Sequence, residues 1–249
     1  MTMLRAALVL GLLSAVGPFA IDMYLPAMPL IATALDAEVS SVQFTLTAYF
    51  ISFGVAQLFY GLWSDQIGRK VPLYGGIGIF IVASIGCALA PTIGWLIAFR
   101  ILQGAGGAAL MVVPRAIIRD MHTGTQATKL LAMVILVISV SPMLAPLVGS
   151  GLIVIGDWRL IFWTLCLTAV LSLILTVTAL PETSLPSERV PLNLRNFVRG
   201  SNTLIRDPVF MGLTFIGGFG FASFMVFIAS AAFVYSGQFG LSLSLIHIS

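Results

Sequence analysis

Charged side chains are scarce in this sequence, since Asp, Glu, Lys and Arg make up only 8% of its 249 residues. Soluble domains contain about 25% of such residues, because their surfaces face water. Hydrophobic residues instead account for 59% of the chain, and the mean hydropathy is +1.09. So few charges could not cover a water-exposed surface of this size. The composition therefore excludes an ordinary soluble domain and predicts that lipid surrounds much of the chain.

Cysteine is also rare, with two residues in the whole chain. Cys87 and Cys166 both lie inside long apolar runs, so we interpret them as small hydrophobic residues and not as a disulfide or a metal site. The basic residues form no stripe interleaved with aromatics, so nucleic acid is not expected as a partner. The sequence shows no nucleophile–base pair, no metal-ligand spacing and no phosphate-binding loop, so an enzyme is not expected.

Seven apolar stretches are long enough to cross a bilayer, which requires about 20 residues for a core about 30 Å thick. Lipid offers no hydrogen-bond partners to the backbone, so the spans must be helices or strands of a closed barrel. These runs are too long and continuous for barrel strands. The sequence predicts an all-α, polytopic membrane helix bundle with spans near 6–33, 41–63, 71–90, 93–114, 128–154, 159–180 and 208–236.

The distribution of basic residues predicts the orientation of these spans. Of the 12 Lys and Arg residues, ten fall on the same side of the membrane as the N-terminus, near it or in every second connection. Only Arg159 falls on the other side, and Arg100 lies within a span. Lys and Arg resist translocation, so this bias places the N-terminus in the cytoplasm. The ten residues are Arg5, Arg69, Lys70, Arg115, Arg119, Lys129, Arg189, Arg195, Arg199 and Arg206.

The connection between the second and third spans carries Gly61, then Asp65, then Gly68-Arg69-Lys70. Small residues such as Gly61 allow helices to approach closely in lipid. Asp65 is placed to accept hydrogen bonds from Arg69 or from a helix N-terminus. Gly68 permits a tight reversal. This spacing resembles the loop signature of the major facilitator superfamily, where the loop acts as a conformational latch; the alternative is an ordinary basic turn.

Arg100 lies within the fourth span, in a segment that resembles the R-x-x-Q-G signature of the same superfamily and includes Gln103 and Gly104. A charge inside a span costs at least about 2.5–3.5 kcal/mol, so Arg100 is expected to face protein or water and to have a partner. Gly104 and Ala108 share one helix face, which favours close packing. The alternatives are that Arg100 reaches the outer surface or has a purely structural role.

Asp22 is the second charge inside a span, about 25 Å along the first helix from Arg5 and in the same membrane half as Arg100. Pro26 and Pro29 interrupt the helix just beyond it. A carboxylate in this setting is able to take up and release a proton as a cavity opens to either side, with Arg100 modulating its proton affinity. The alternative is a carboxylate that satisfies backbone donors freed by the prolines.

Two segments narrow the resemblance further. Residues 20–29, Ala-Ile-Asp-Met-Tyr-Leu-Pro-Ala-Met-Pro, resemble the first span of the Bcr/CflA group of drug/proton antiporters. In the fifth span, Pro142, Pro146 and Gly149 resemble the antiporter signature G-P-x-x-G-G, although Ala145 and Ser150 replace its flanking glycines. The two prolines lie one turn apart, so a kinked or loosened helix is expected there.

The resemblance implies a bacterial inner-membrane transporter that exports small amphipathic, drug-like compounds in exchange for protons. It implies no cofactor beyond the proton gradient, and protons, substrate and the lipid bilayer as partners. Substrates in the resembled group include bicyclomycin-like and chloramphenicol-like antibiotics. The rival hypotheses are a metabolite uptake symporter of the same fold, a non-transporting membrane receptor or subunit, or an inert fragment.

Several aromatic and polar side chains of the spans are candidates to line a cavity. Packing within the bundle is the alternative role for a stripe of aromatics at helical spacing. The candidates are Tyr24, Tyr49, Phe53, Gln57 and Gln103.

The predicted organisation is a major facilitator N-terminal six-helix bundle over 1–180, a cytoplasmic amphipathic linker over 181–207, and the first helix of a second bundle over 208–242. Residues 243–249 are expected to be a sequencing artefact. A closed transport path needs both six-helix bundles, and the second is expected to be mostly missing here, so the chain alone is expected to be inactive.

Overall fold

The computed structural model describes residues 2–184 and 194–239, and all regular secondary structure in those ranges is helical. The chain divides into two compact units, Met1–Pro191 and Leu192–Ser249. The expected linker lies partly outside the described residues, at 185–193. The expected artefact at 243–249, and the last residues of the predicted seventh helix from 240 on, lie outside them entirely.

The described part of the first unit contains six membrane spans, as the hydropathy predicts. Two of the spans are interrupted helices: the first combines α1 with α2, and the fifth combines α6 with α7. The helices are α1 (Met3–Asp22), α2 (Met28–Ala34), α3 (Val39–Ile67), α4 (Lys70–Ala88), α5 (Ile93–Met121), α6 (Gly124–Ser139), α7 (Ser141–Ile155) and α8 (Arg159–Ala179).

The breaks within spans occur where proline removes backbone donors. The first helix stops at Asp22, and a 3₁₀ turn over Leu25–Ala27 joins it to α2. The fifth span breaks at Val140, two residues before Pro142 in the first turn of α7. The first span is therefore interrupted at its prolines, and the fifth next to Pro142, whereas Pro146 lies within the continuous helix α7.

Glycines allow α5 to pack closely against its neighbours. A Cβ atom on Gly104 would collide with the carbonyl oxygen of Tyr49, and one on Gly106 would lie 2.6 Å from the carbonyl oxygen of Gly76. The close packing predicted for Gly104 is confirmed. A Cβ on Gly61 would meet no atom of the described residues within 4 Å, so the close approach expected there stays a prediction. Gly61 has an open position on α3, where no described neighbouring helix approaches.

The second unit contains α9 (Leu194–Arg206) and α10 (Pro208–Phe239). The segments Arg199–Arg206 and Pro208–Phe224 meet at an angle of 79° and together are long and apolar enough for one further span, which gives up to seven spans in the described chain. Asp207 begins α10, because its Oδ1 accepts hydrogen bonds from the backbone N–H groups of Val209 and Phe210, at 2.8 and 3.1 Å. A polar cap thus separates the strongly amphipathic α9 from the apolar α10.

Candidate functional site

Arg100 is completely buried in the centre of the first unit. It lies on α5 two turns beyond Ile93, on the helix face that packs against α1 and α3. The alternative in which its side chain reaches the membrane surface is therefore wrong. A buried charge needs compensating contacts, because desolvation of an unpaired guanidinium is costly.

Two tyrosine rings supply much of that compensation. The Cζ atom of Arg100 lies 4.6 Å from the ring centroid of Tyr24 and 4.4 Å from that of Tyr49. Cations over aromatic faces gain about 2 kcal/mol or more when desolvated. The hydroxyl groups fix the rings, since Tyr24 bonds to Thr45 at 2.6 Å and Tyr49 donates to the carbonyl oxygen of Gly17 at 3.3 Å.

Hydrogen bonds satisfy only part of the guanidinium. Nη1 of Arg100 donates to the carbonyl oxygen of Ala20 at 3.2 Å and to Oε1 of Gln103 at 2.8 Å. Gln103 in turn donates to Oγ of Ser84 at 2.8 Å, and Ser84 donates to the carbonyl oxygen of Phe80 at 2.7 Å. Nε and Nη2 of Arg100 have no partner within the described residues. The site therefore holds a buried cation with unused donors.

Asp22 lies two residues beyond Ala20, whose carbonyl oxygen accepts the bond from Arg100. The residue is only 8% exposed, so its carboxylate does not point freely into lipid. In the described chain it forms neither a hydrogen bond nor an ion pair. The structure thus brings Asp22 to the helix turn that contacts Arg100 but does not join the two charges. The rings of Tyr24 and Tyr49 occupy positions next to the guanidinium instead.

The candidates for cavity lining have different surroundings. Tyr24, Tyr49 and Gln103 are fully buried around Arg100, as the packing alternative predicts. Phe53 is half-buried and stacks on Tyr49 with ring centroids 5.8 Å apart. Gln57 is also half-buried, one turn further along α3. Among the described residues, no group of three or more His, Cys, Asp or Glu could hold a metal ion.

A second polar cluster surrounds Arg69, between α3 and α4. Its Nη1 bonds to Asp65 at 2.5 Å and to Oγ of Ser64 at 3.0 Å, so the predicted Asp65–Arg69 contact is present. Gly68 has φ 98°, a backbone conformation that glycine adopts without strain, and it makes the predicted reversal. Asp120 completes the cluster with a bidentate pair to Nε and Nη2 of Arg69, at 2.7 and 3.0 Å.

Glu182 connects this cluster to the segment after α8. Its carboxylate accepts bonds from the backbone N–H groups of Arg69 and Lys70, at 2.8 and 3.0 Å, and so caps the N-terminus of α4. Partial burial by itself would raise the pKa of Glu182, but the bonds from four backbone N–H groups outweigh it and lower the pKa. For Arg69, burial opposes the charge, while hydrogen bonds to Asp120 and Asp65 raise the pKa.

Sequence reasoning missed both Asp120 and Glu182. The available signals were the position of Asp120 just beyond the predicted end of the fourth span, and that of Glu182 directly after Pro181 at the end of the sixth span. Neither signal identifies Arg69 as the partner, since the contacts join residues 51 and 113 positions apart.

The antiporter-like segment lies against the break in the first span. A Cβ atom on Gly149 would collide with the carbonyl oxygen of Met23, next to Asp22. Close approach of α7 therefore depends on glycine at this position. Pro146 lies inside α7, one turn beyond Pro142. This contact places the segment beside the turn that carries the buried carboxylate.

Comparison with known sequences gives a consistent result. The model of the Major Facilitator Superfamily matches residues 10–249. The chain is 36% identical over 241 residues to an uncharacterized MFS-type transporter, YdgK, of Bacillus subtilis, covering 96% of this chain and 60% of that protein. It is 32% identical over 233 residues to a bicyclomycin resistance protein homolog of Haemophilus influenzae, covering 94% and 58%. It is also 35% identical over 166 residues to multidrug resistance protein MdtL of Escherichia coli, covering 67% and 42%.

Solved structures show the same fold at low sequence identity. The human organic anion transporter MFSD10 matches with a TM-score of 0.66 and 18% identity, over 99% of this chain and 68% of that one. The xylose transporter XylE of E. coli, in an inward open conformation, matches with a TM-score of 0.65 and 19% identity, over 73% and 48%. The chain therefore has the fold of these transporters but spans about 60% or less of the length of the curated relatives named above.

Proposed function

The chain belongs to the Major Facilitator Superfamily, and we propose that the full-length protein exports small amphipathic, drug-like compounds across the bacterial inner membrane in exchange for protons. Membership of this transporter family, and the transporter names of its relatives, indicate a multi-pass membrane transporter and not an enzyme. Relatives named for bicyclomycin and multidrug resistance support drug-like substrates. In this proposal the proton gradient is the only energy source, and the basic ends of the spans face the cytoplasm.

The observation that carries the proposal is a buried carboxylate without a partner, two residues beyond the carbonyl group that binds a buried guanidinium with unused donors. Asp22 is 8% exposed and unpaired among the described residues, and Nε and Nη2 of Arg100 are also unpaired. A charged Asp22 would be stabilised by those donors, whereas a protonated Asp22 would not. Movement of the α1 break is then sufficient to link proton uptake to conformation, with Asp22 as carrier and Arg100 as modulator.

Alternating access in this proposal also uses the Arg69 cluster and the broken fifth span. The Arg69 cluster joins α3, α4, α5 and the segment after α8, so it holds one end of the bundle in a single arrangement. Release of these bonds would allow that end to open. Pro142 and Pro146 lie in the broken fifth span, and Gly149 of the same helix packs against Met23, next to Asp22. In this proposal a change in the kink of the fifth span moves the α1 break.

Proton release on substrate binding tests the carrier assignment. The full-length protein that carries this sequence is purified in weakly buffered detergent and mixed with bicyclomycin or chloramphenicol. Wild-type protein should release protons, and Asp22→Asn should release none. The matched control is Asp36→Asn, an exposed carboxylate with φ 47°, a conformation that asparagine also adopts. Equal release by Asp22→Asn and wild type would rule out Asp22 as the carrier.

The direction of transport requires a separate measurement. Proteoliposomes with an imposed pH gradient should accumulate the drug when their interior is acidic, because protons leave as the drug enters. A metabolite uptake symporter would instead accumulate a sugar such as xylose when the interior is alkaline, because protons then enter together with the sugar. Accumulation of sugar and no accumulation of drug would replace the export proposal with that rival.

A further inference from the structure

A cleft of about 540 Å³ lies between α1, α5 and α6 and is separate from the Arg100 site. Arg115 and Arg119 contribute its charged side, and Ser14 contributes a hydroxyl. The cleft opens at the end of the bundle that carries the Arg69 cluster, because Asp120, which is adjacent to Arg119, bonds to Arg69. No element of the proposed transport mechanism uses these residues.

The two arginines are exposed and lie one turn apart on α5. Residues at this spacing have Cβ atoms about 5–6 Å apart, so like charges repel while one phosphate is able to contact both. Neither guanidinium forms an ion pair or hydrogen bond with any described residue. An anion between them would remove the repulsion and satisfy donors that are vacant in the chain itself.

The remaining wall of the cleft is apolar. Val112 contributes from α5, and Leu131, Ile135 and Ile138 contribute from one face of α6. Leu131 and Ile135 are 36% and 55% exposed, so this wall faces outward from the core. A soluble anion would leave it uncovered, whereas an acyl chain beside the helices would cover it.

Ser14 adds an unpaired polar group to the same cleft. The residue is 2% exposed, and its Oγ has no hydrogen-bond partner among the described residues. It lines the cleft together with both arginines, so an unused hydroxyl and two guanidinium groups without a described partner border one space.

We infer that this cleft binds an anionic phospholipid of the cytoplasmic leaflet. The phosphate lies between Arg115 and Arg119, an ester carbonyl oxygen accepts a bond from the hydroxyl of Ser14, and an acyl chain lies along the apolar face of α6. Basic pockets between helices at the cytoplasmic side are the type of site that anionic headgroups occupy. The inference concerns lipid binding, so it does not depend on the proposed drug export.

Calorimetric titration of the full-length protein in detergent with short-chain phosphatidylglycerol, phosphatidylcholine and inorganic phosphate tests the inference. Wild-type protein should bind phosphatidylglycerol at least about tenfold more tightly than the other two probes, because only that lipid presents both a net negative headgroup and an acyl chain. The double variant R115Q/R119Q should lose about tenfold or more in affinity for phosphatidylglycerol. Ser14→Ala should lose a smaller factor, about threefold, with the charge unchanged.

The matched control is R5Q/R206Q, which removes the same charge from two exposed arginines that do not line the cleft. It should bind phosphatidylglycerol as wild type does. An equal loss of affinity in this control would show that binding depends only on general surface charge, and it would rule out the proposed site. Unchanged affinity in R115Q/R119Q, or equally tight binding of inorganic phosphate, would also overturn it. The variant R115K/R119K, which keeps the charge, together with thermal unfolding curves, separates lost binding from misfolding.

Discussion

Tyr49 contacts α5 in two ways: its ring covers the guanidinium of Arg100 at 4.4 Å, and its carbonyl oxygen lies against Gly104 one turn further along. The missing side chain at Gly104 is what lets α3 approach close enough for the ring to reach the cation. Burial of the Arg100 charge therefore depends on the absence of a side chain at Gly104, where the two helices cross. The Arg100 site depends on packing as much as on polar bonds.

Replacement of Gly104 should weaken this crossing. Gly104→Ala places a methyl group against the backbone of Tyr49 and is expected to lower the free energy of unfolding by about 1–3 kcal/mol, because backbone cannot move aside as a flexible side chain can. Thermal unfolding of the full-length protein in detergent measures this. Gly78→Ala, on α4 with open space around its position, is the control and should be neutral or slightly stabilising. Equal melting temperatures for the two variants would contradict the prediction.

Arg100→Lys should impair stability even though the charge is kept. Lysine lacks the planar fork that faces both tyrosine rings while donating to Gln103. A loss of about 1–3 kcal/mol is expected, together with loss of drug transport in proteoliposomes. Arg5→Lys, at the exposed start of α1, should change neither measurement. Wild-type behaviour of Arg100→Lys would mean that charge alone is required at this position.

The two carboxylates that contact Arg69 should differ in importance. Asp120 makes two bonds to the guanidinium and its side chain is 20% exposed, whereas Asp65 makes one bond and is 52% exposed. Asp120→Asn should cost about 2 kcal/mol, and Asp65→Asn less than about 1 kcal/mol, since exposed pairs contribute little. Thermal unfolding compares the two variants directly. A larger effect at Asp65 would contradict this ranking.

Glu182 should contribute to a loss of stability at acidic pH. Its folded-state pKa is below the ordinary value of 4.5, so its contribution is fully present above pH 4.5 and is lost as the pH falls through the folded-state pKa. Glu182→Gln should therefore flatten part of the decline in melting temperature below pH 4.5 and lower the melting temperature modestly at pH 7. Glu38→Gln, in the exposed loop before α3, is the control. An unchanged pH profile in Glu182→Gln would exclude the helix-capping role.

The C-terminal ends of α3 and α5 extend beyond the spans that hydropathy predicts. Apolar composition predicts the fourth span to end near residue 114, but α5 continues to Met121. Hydropathy detects the part of a helix in hydrocarbon, while the last turns of α5 are stabilised by the polar cluster at Arg69. The same reason explains why α3 continues past residue 63 to Ile67.

The sequence alone determined the membrane fold, the number of spans in the first unit, the breaks at proline and the Asp65–Arg69 pair. Each of these follows from properties of one segment or of residues a few positions apart. Only the tertiary structure decided that two tyrosines enclose Arg100, that Asp120 and Glu182 hold the Arg69 loop, and that Gly104 packs against the backbone of Tyr49. Those contacts join distant segments, and a hydrophobic pattern specifies which segments are buried without specifying which helix faces meet.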